Sequence, residues 1–138
     1  MRILVPTLSL VALTLTGCAM SPAETARAQD REAASRAALG QKLAGLHPAG
    51  TTDCLDRFQT NSASLSAYGP TLVYRVSDKL AYVNETAGGC EGIANGDILL
   101  TRSNQGQLCR GDIGQTVIPG SRVPNGSCAL GSFTKYVR

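Results

Sequence analysis

The side chains with the widest chemistry in this chain belong to five cysteines. Four of them, Cys54, Cys90, Cys109 and Cys128, have no Cys-x-x-Cys spacing, which disfavours a structural zinc site and a redox pair. In an exported domain such cysteines form disulfides, and we expect two. Four cysteines allow three connectivities, of which we favour Cys90 with Cys109 and Cys54 with Cys128. The odd count leaves Cys18 for a separate role.

Cys18 follows a segment that is typical of an export signal. After a positively charged start, residues 3–15 form an apolar run that is too short for a bilayer, which needs about 20 residues. The run leads into Leu15-Thr-Gly-Cys18, which resembles the lipobox of bacterial lipoproteins. We therefore expect removal of residues 1–17 and acylation of the Cys18 thiol, with membrane lipid as the partner. Ala19 favours the outer membrane, facing the periplasm, over the inner membrane. The alternative is a plain secretory signal that is cut near Ala23.

Other residue types that carry catalysis are sparse. His47 is the only histidine, so neither a Ser-His-Asp triad nor a histidine-rich metal site can form, and we expect no metal and no cofactor. Two carboxyl groups could act as the acid and base of a glycan hydrolase, although their spacing does not show that any two converge. The candidates are Asp53, Asp56, Asp97 and Asp112.

Length and charge limit the classes of function further. The chain has 138 residues, which suffices for one domain of ordinary size, and a formal net charge of +3. Its 13 Lys and Arg residues are scattered, whereas nucleic-acid binding needs a dense basic stripe. We therefore expect no nucleic-acid partner.

Residues 18–50 are predicted to form the lipid anchor and an Ala-rich helical stalk or linker. Ala, Arg, Glu and Gln dominate this segment, and all four favour helices. Ser21, Pro22 and Glu24 have the types and spacing of an N-cap, a first helical proline and a capping-box glutamate. Pro48 predicts that the helix has ended by residue 47.

Only the end of this helix has a large apolar face, formed by Leu39, Leu43 and Leu46. One hypothesis is a spacer that docks these leucines on the following domain. The other is a half-disordered linker, because an isolated helix of this length is marginal in water.

Residues 51–138 are predicted to form a small, mainly β domain that is held by two disulfides. Seven apolar and β-branched runs alternate with turn signals, and together they indicate about six short strands. The runs lie at residues 54–60, 71–77, 80–86, 97–103, 107–110, 114–118 and 127–130. Such strands favour a small barrel or sandwich, with an OB-type barrel as one candidate.

Tyr74, Arg75 and Tyr82 are the candidate binding face of this domain, because the hairpin that carries them could lie across a barrel. The alternative is that the tyrosines fill a core that is short of aromatic residues.

The motifs of the domain follow one another in an order that resembles a family of small exported proteobacterial proteins catalogued as a domain of unknown function. The similarity covers residues 54–133, and Glu91 stands where many relatives carry proline. The resemblance implies an envelope location and brings no catalytic residues. The motifs are Thr71-Leu-Val-Tyr-Arg75, Gly89-Cys-Glu-Gly92, Gln107-Leu-Cys-Arg-Gly-Asp112 and Gly126-Ser-Cys-Ala-Leu-Gly-Ser-Phe133.

Together these patterns predict a lipid-anchored envelope protein with a non-enzymatic binding or interaction domain, and an envelope protein or ligand as its partner. One alternative is an inhibitor of an envelope-directed hydrolase. Another is a small glycan hydrolase that uses paired carboxylates.

Overall fold

The computed structural model describes residues 21–103 and 106–138. Its elements alternate between short strands and tight connections, with one long helix at the start. In chain order they are α1 (Pro22–Lys42), β1 (His47–Thr52), β2 (Cys54–Leu55), α2 (Arg57–Asn61), β3 (Ser64–Tyr68), β4 (Thr71–Ser77), β5 (Leu80–Glu85), a 3-10 helix (Glu91–Asn95), β6 (Ile98–Thr101), β7 (Leu108–Cys109), β8 (Ile113–Val117), β9 (Pro124–Ala129) and β10 (Phe133–Val137).

Three antiparallel sheets organise these strands. The largest has the order β1-β10-β5-β4-β3, β6-β8-β9 form the second, and β2-β7 form the third. The predicted mainly β class is confirmed. The predicted barrel is wrong for the described residues, because β1 and β3 remain the two unpaired edges of the five-stranded sheet. Strands β1, β3 and β10 lie outside the runs that we expected to be strands.

The sequence 54–60, predicted as one strand, divides into strand β2 and helix α2. Asp56 is the reason, because its side chain accepts a hydrogen bond from the Gln59 N–H at 2.9 Å while the Gln59 side chain accepts one from the Asp56 N–H at 3.2 Å. This reciprocal capping box starts a helix where β pairing would otherwise continue.

Helix α1 begins as predicted. The Ser21 hydroxyl accepts from the Glu24 N–H at 3.3 Å, and the Glu24 carboxylate accepts from the Ser21 N–H at 2.9 Å. The Ser21 hydroxyl also donates to the Glu24 carboxylate at 2.7 Å, and this bond, followed by the one from the Ser21 N–H, lowers the pKa of Glu24. Residues 22–34 are exposed, and no helix within the described ranges is long and apolar enough to cross a membrane.

Both faces of the five-stranded sheet are covered. On one face, which we call the helix-side core, Leu46 is buried and Leu39 and Leu43 pack beside it, so the predicted docking of these leucines is confirmed; their partners are Val73, Ala81 and Val83. The opposite face, the disulfide-side core, is built from Leu55, Ala67, Leu72, Tyr74, Tyr82, Cys90, Leu108, Cys128, Leu130 and Phe133. Strand β1 begins at His47, so the β fold starts before residue 51.

The two expected disulfides are present, but the favoured connectivity, Cys90 with Cys109 and Cys54 with Cys128, is wrong. Cys54 is bonded to Cys109, and Cys90 is bonded to Cys128. Strand pairing decides the first bond, since Cys54 and Cys109 lie directly opposite each other in β2 and β7, with 4.0 Å between their Cα atoms. The favoured connectivity joined the two middle cysteines and the two outer ones, and it did not take this long-range register into account.

Arg75 connects the sheet to the end of α1. Its Nη1 donates a hydrogen bond of 2.6 Å to the Lys42 carbonyl, and its side chain is only 21% exposed. The last carbonyls of a helix have no partner within the helix. A cation placed there also interacts favourably with the negative end of the helix dipole. Arg75 therefore holds the docked end of α1 in place.

We expect Arg75→Met to lower the free energy of unfolding by about 1.5 kcal/mol, because it removes a charged hydrogen bond but keeps the length of the side chain. Urea denaturation of the full-length protein in mild detergent measures this change. Arg36→Met is the control: Arg36 pairs with Glu32 on the exposed part of α1, and its loss should cost less than about 0.5 kcal/mol. Equal losses for both variants would contradict the docking role of Arg75.

Candidate functional site

The predicted binding face of Tyr74, Arg75 and Tyr82 does not form one exposed surface. Tyr74 and Tyr82 are opposite each other across β4 and β5 and lie in the disulfide-side core, where they are 5% and 4% exposed. Arg75 points to the other face of the sheet because side chains alternate along a strand. Both tyrosine rings are therefore part of the core, as the alternative hypothesis predicted. Of the two, Tyr82 also lines a pocket.

This pocket lies beside a β-bulge at the edge of the sheet. In β1, Ala49 and Gly50 together oppose the single residue Lys135 of β10. Gly50 has φ +113°, which side chains other than glycine rarely adopt, although a Cβ there would meet no atom within 4 Å. Backbone conformation, and not crowding, therefore requires glycine at this bulge.

The bulge and its neighbours enclose a volume of about 270 Å³, which we call the bulge pocket. Its lining combines polar and apolar groups, and bulges often re-aim side chains next to binding sites. Backbone and side chains from β1, α2, β5 and β10 meet there, including Ala49, Gly50, Thr52, Gln59, Tyr82 and Lys135.

A chain of hydrogen bonds orients the Tyr82 hydroxyl. The Gln59 side-chain oxygen accepts from the Asp56 N–H at 3.2 Å, so its nitrogen faces Tyr82 and donates to the hydroxyl oxygen at 2.7 Å. Tyr82 thus acts as an acceptor toward the protein. Its own proton remains free to be donated into the pocket.

Two effects keep that proton on Tyr82. Burial raises the pKa of Tyr82, and the Asp56 carboxylate raises it further, while the hydrogen bond from Gln59 partly opposes both. A phenol that already titrates near pH 10 therefore stays protonated through the physiological range. The pocket is therefore lined by a neutral hydroxyl donor, Tyr82, and by a lysine, Lys135.

Lys135 supplies the positive charge of the bulge pocket. It lies directly opposite Tyr82 across β10 and β5, so the two side chains share one face of the sheet. The ion pairs found within residues 21–103 and 106–138 involve arginines only and leave the Lys135 ammonium without a carboxylate partner.

The four candidate carboxylates are each held in local structure. Asp56 caps α2, Asp112 accepts from the Cys109 N–H at 2.8 Å, and the Asp97 carboxylate accepts from the Asn125 amide at 2.6 Å. Asp53 accepts from the Ser132 hydroxyl and lies 3.3 Å from the Arg110 guanidinium. Local contacts therefore account for all four positions, and within the described ranges no cluster of acidic, histidine or cysteine side chains could hold a metal.

A larger groove of about 940 Å³ lies between α1 and the 3-10 helix. Two pairs of its polar groups are matched to each other: the Thr71 hydroxyl donates to Glu85 at 2.8 Å, and Arg36 is paired with Glu32. The bulge pocket is smaller, but it combines an unpaired cation with an oriented hydroxyl. We therefore place the candidate site there.

Tyr74 presents the opposite case, because its hydroxyl is buried and has no hydrogen-bond partner among the described residues. Its ring packs edge-on against Phe133, with ring centroids 5.9 Å apart. Burial raises the pKa of Tyr74 far above its usual range. The hydroxyl group therefore costs stability, and the ring provides the packing.

We expect Tyr74→Phe to raise the free energy of unfolding by about 1 kcal/mol at pH 7, because it removes an unpaired buried hydroxyl. The folded-state pKa of Tyr74 exceeds the unfolded value of about 10, so ionisation costs no stability below about pH 10 and lowers the stability of the folded chain as pH rises above it. The variant should therefore resist alkaline unfolding better than the parent chain. Urea denaturation at pH 7 and pH 11 measures both effects, with half-exposed Tyr136→Phe as the control. A loss of stability in Tyr74→Phe would show that the hydroxyl has a partner.

Several residues of the bulge pocket were not among the predicted site residues, notably Gly50, Gln59 and Lys135. The Asp-x-x-Gln spacing of residues 56–59 was a usable signal for α2 and hence for the position of Gln59. Lys135 had no local signal, since its role depends on β10 lying between β1 and β5.

Comparisons with known proteins add no relative. The sequence matches no family model, and no curated protein and no solved structure is significantly similar to it. Cys18, the predicted acylation site, lies outside the described residues. Any assignment of function therefore depends on the sequence motifs and on the geometry of the bulge pocket.

Proposed function

We propose that the chain is a lipid-anchored cell-envelope protein whose β domain is a non-enzymatic binding module, with the bulge pocket as its site. The observation that supports this most strongly is that Lys135 and Tyr82 are cross-strand neighbours that line the same pocket. Among the described residues, no acceptor takes the Tyr82 proton and no carboxylate pairs with Lys135. The resemblance of the cysteine-centred motifs to a family of small exported proteins supports the same location.

The anchor and the spacer support a tethered arrangement. Cys18 ends the lipobox, and the capping box of α1 begins three residues later at Ser21. Helix α1 has 21 residues, which correspond to about 32 Å, and only its C-terminal end packs on the sheet. Acylated Cys18 would thus tether the domain through the exposed part of α1, residues 22–34, with the outer membrane facing the periplasm as the favoured location.

Binding fits the geometry better than hydrolysis of glycans. A glycosidase needs two carboxyl groups about 5–9 Å apart across the substrate, one of which must carry a proton. Asp53, Asp56, Asp97 and Asp112 instead complete turns, caps and surface pairs. The donors of the bulge pocket can hold a ligand without any of these carboxylates.

Acylation is tested by growing cells with a radioactive fatty acid. The parent chain should carry the label and Cys18→Ala should lose it, because the thiol is the acceptor. Label retained in Cys18→Ala would overturn the anchored part of the proposal.

The binding part is tested by photocrosslinking in living cells. A photoreactive residue introduced at Ala49, in the bulge, should capture one reproducible envelope component. The same residue at Ser121, in the exposed loop between β8 and β9, is the matched control and should capture none. Position Phe58 is a third arm, because this phenylalanine is 89% exposed on α2. Capture at Phe58 without capture at Ala49 would overturn the pocket in favour of a protein-docking role such as hydrolase inhibition.

A further inference from the structure

We propose that the ligand group held in the bulge pocket is a carboxylate at the end of a small molecule or chain. This inference rests on the proposed binding function and specifies the ligand chemistry of the same site. Three properties of the pocket carry it: the direction of its hydrogen bonds, the sign of its charge and its size.

The direction of the hydrogen bonds follows from Gln59. Because its side-chain oxygen is occupied by the Asp56 N–H, its nitrogen donates to the Tyr82 oxygen, which leaves the phenol proton available to a ligand. Lys135 can only donate. Two donors on adjacent strands thus share one face of the sheet and line the same pocket. Because the Lys135 side chain is long and flexible, its ammonium group and the Tyr82 hydroxyl can each donate to one oxygen of the same carboxylate.

The charge of the pocket favours an anion. No carboxylate pairs with Lys135 within the described ranges. The Asp56 carboxylate also acts on Tyr82, but it is held at the start of α2 by the Gln59 N–H and forms no ion pair with Lys135. A bound carboxylate would therefore complete an ion pair with Lys135, and charge-assisted hydrogen bonds are the strong ones.

The size of the pocket limits what can enter it. A volume of about 270 Å³ is slightly below the range of about 300–1,000 Å³ that is usual for complete small-molecule ligands. The pocket accommodates a chain end that carries a carboxylate, and the rest of a larger ligand would lie outside, along the exposed β1 edge.

The test uses the full-length protein in mild detergent, with sodium acetate as the probe, followed by amide NMR shifts at constant ionic strength. We expect saturable shifts at Gly50, Tyr82 and Lys135 with a dissociation constant on the order of millimolar, as fits a ligand of few atoms. Lys135→Met should weaken binding at least tenfold, because a charged hydrogen bond is lost. Lys79→Met, in the exposed turn between β4 and β5, is the matched control and should leave it unchanged.

Tyr82→Phe is the second variant, since it removes only the hydroxyl and keeps the ring in the core. It should also weaken acetate binding several-fold. Equal effects of Lys135→Met and Lys79→Met, or a shift that never saturates, would overturn the carboxylate assignment. Tighter saturable binding of phosphate or methyl glucoside at the same amides would overturn it while leaving the binding module intact. If no probe binds and Ala49 captures nothing in cells, both proposals fail.

Discussion

Replacing Cys90 and Cys128 together by alanine should lower the free energy of unfolding by about 4 kcal/mol. The bond closes a sequence separation of 38 residues. On the loop-entropy model, its loss raises the conformational entropy of the unfolded chain and stabilises that state by about 4 kcal/mol. Both cysteines are also buried, at 1% and 3% exposure, so the removed sulfur atoms leave a void in the disulfide-side core. Because small domains have only about 5–15 kcal/mol of stability, the loss should be obvious in urea denaturation of the full-length protein.

The same experiment has a structural control. Peptide mapping without reducing agent should link Cys54 to Cys109 in this variant as in the parent chain. A loss below about 1 kcal/mol, or a fragment in which Cys54 is linked to Cys90 in the parent, would contradict the pairing on which the core depends.

Asn84→Leu should lower the free energy of unfolding by about 3 kcal/mol, although it replaces a polar side chain by an apolar one of similar size in a core position. Asn84 is fully buried; its amide donates to the Gly131 carbonyl at 2.6 Å and accepts from the Gly131 N–H at 3.0 Å. Leucine would leave both backbone groups unpaired, and each unpaired buried group costs about 1–3 kcal/mol.

Gly131 cannot relax away from this defect easily, because a Cβ at its position would lie 2.2 Å from the Glu85 carbonyl, so the two backbones already touch. Asn125→Leu is the matched control, since Asn125 is exposed and its side chain forms an exposed hydrogen bond with Asp97, and it should cost less than about 0.5 kcal/mol. Urea denaturation measures both variants. Equal stability of Asn84→Leu and the parent chain would contradict the role of Asn84 in holding the segment before β10.

The start of α1, its docking on the sheet and the hairpin of β4 and β5 could be predicted from residues that are close together in the sequence. The capping box of Ser21 and Glu24 predicts the start of α1, and the leucines at the end of that helix predict where it docks. The hairpin of β4 and β5 follows from two apolar runs around a polar turn, and the structure pairs Ser77 with Leu80 there. In each case the residues that decide the structure lie within a few positions of one another.

Strands β1 and β10 were not predicted, because they depend on contacts between residues that are far apart in the sequence. β10 shows no alternating pattern because the sheet is covered on both sides: Phe133 packs in the disulfide-side core and Tyr136 against the helix-side core. β1 is exposed along its whole length and contains Pro48 and Gly50, so neither hydropathy nor propensity marks it as a strand. The bulge pocket lies between these two strands and could not be predicted without them.

The central claim, that the domain binds its partner through the bulge pocket, is tested most directly by combining the in-cell capture with pocket variants. Photocrosslinking from Ala49 is repeated in a chain that carries Tyr82→Phe and Lys135→Met, and in a control chain that carries Tyr136→Phe and Lys79→Met. The control removes the same groups outside the pocket. We predict that capture falls at least tenfold in the pocket variant and stays within twofold of the parent in the control. Undiminished capture in the pocket variant would contradict the claim.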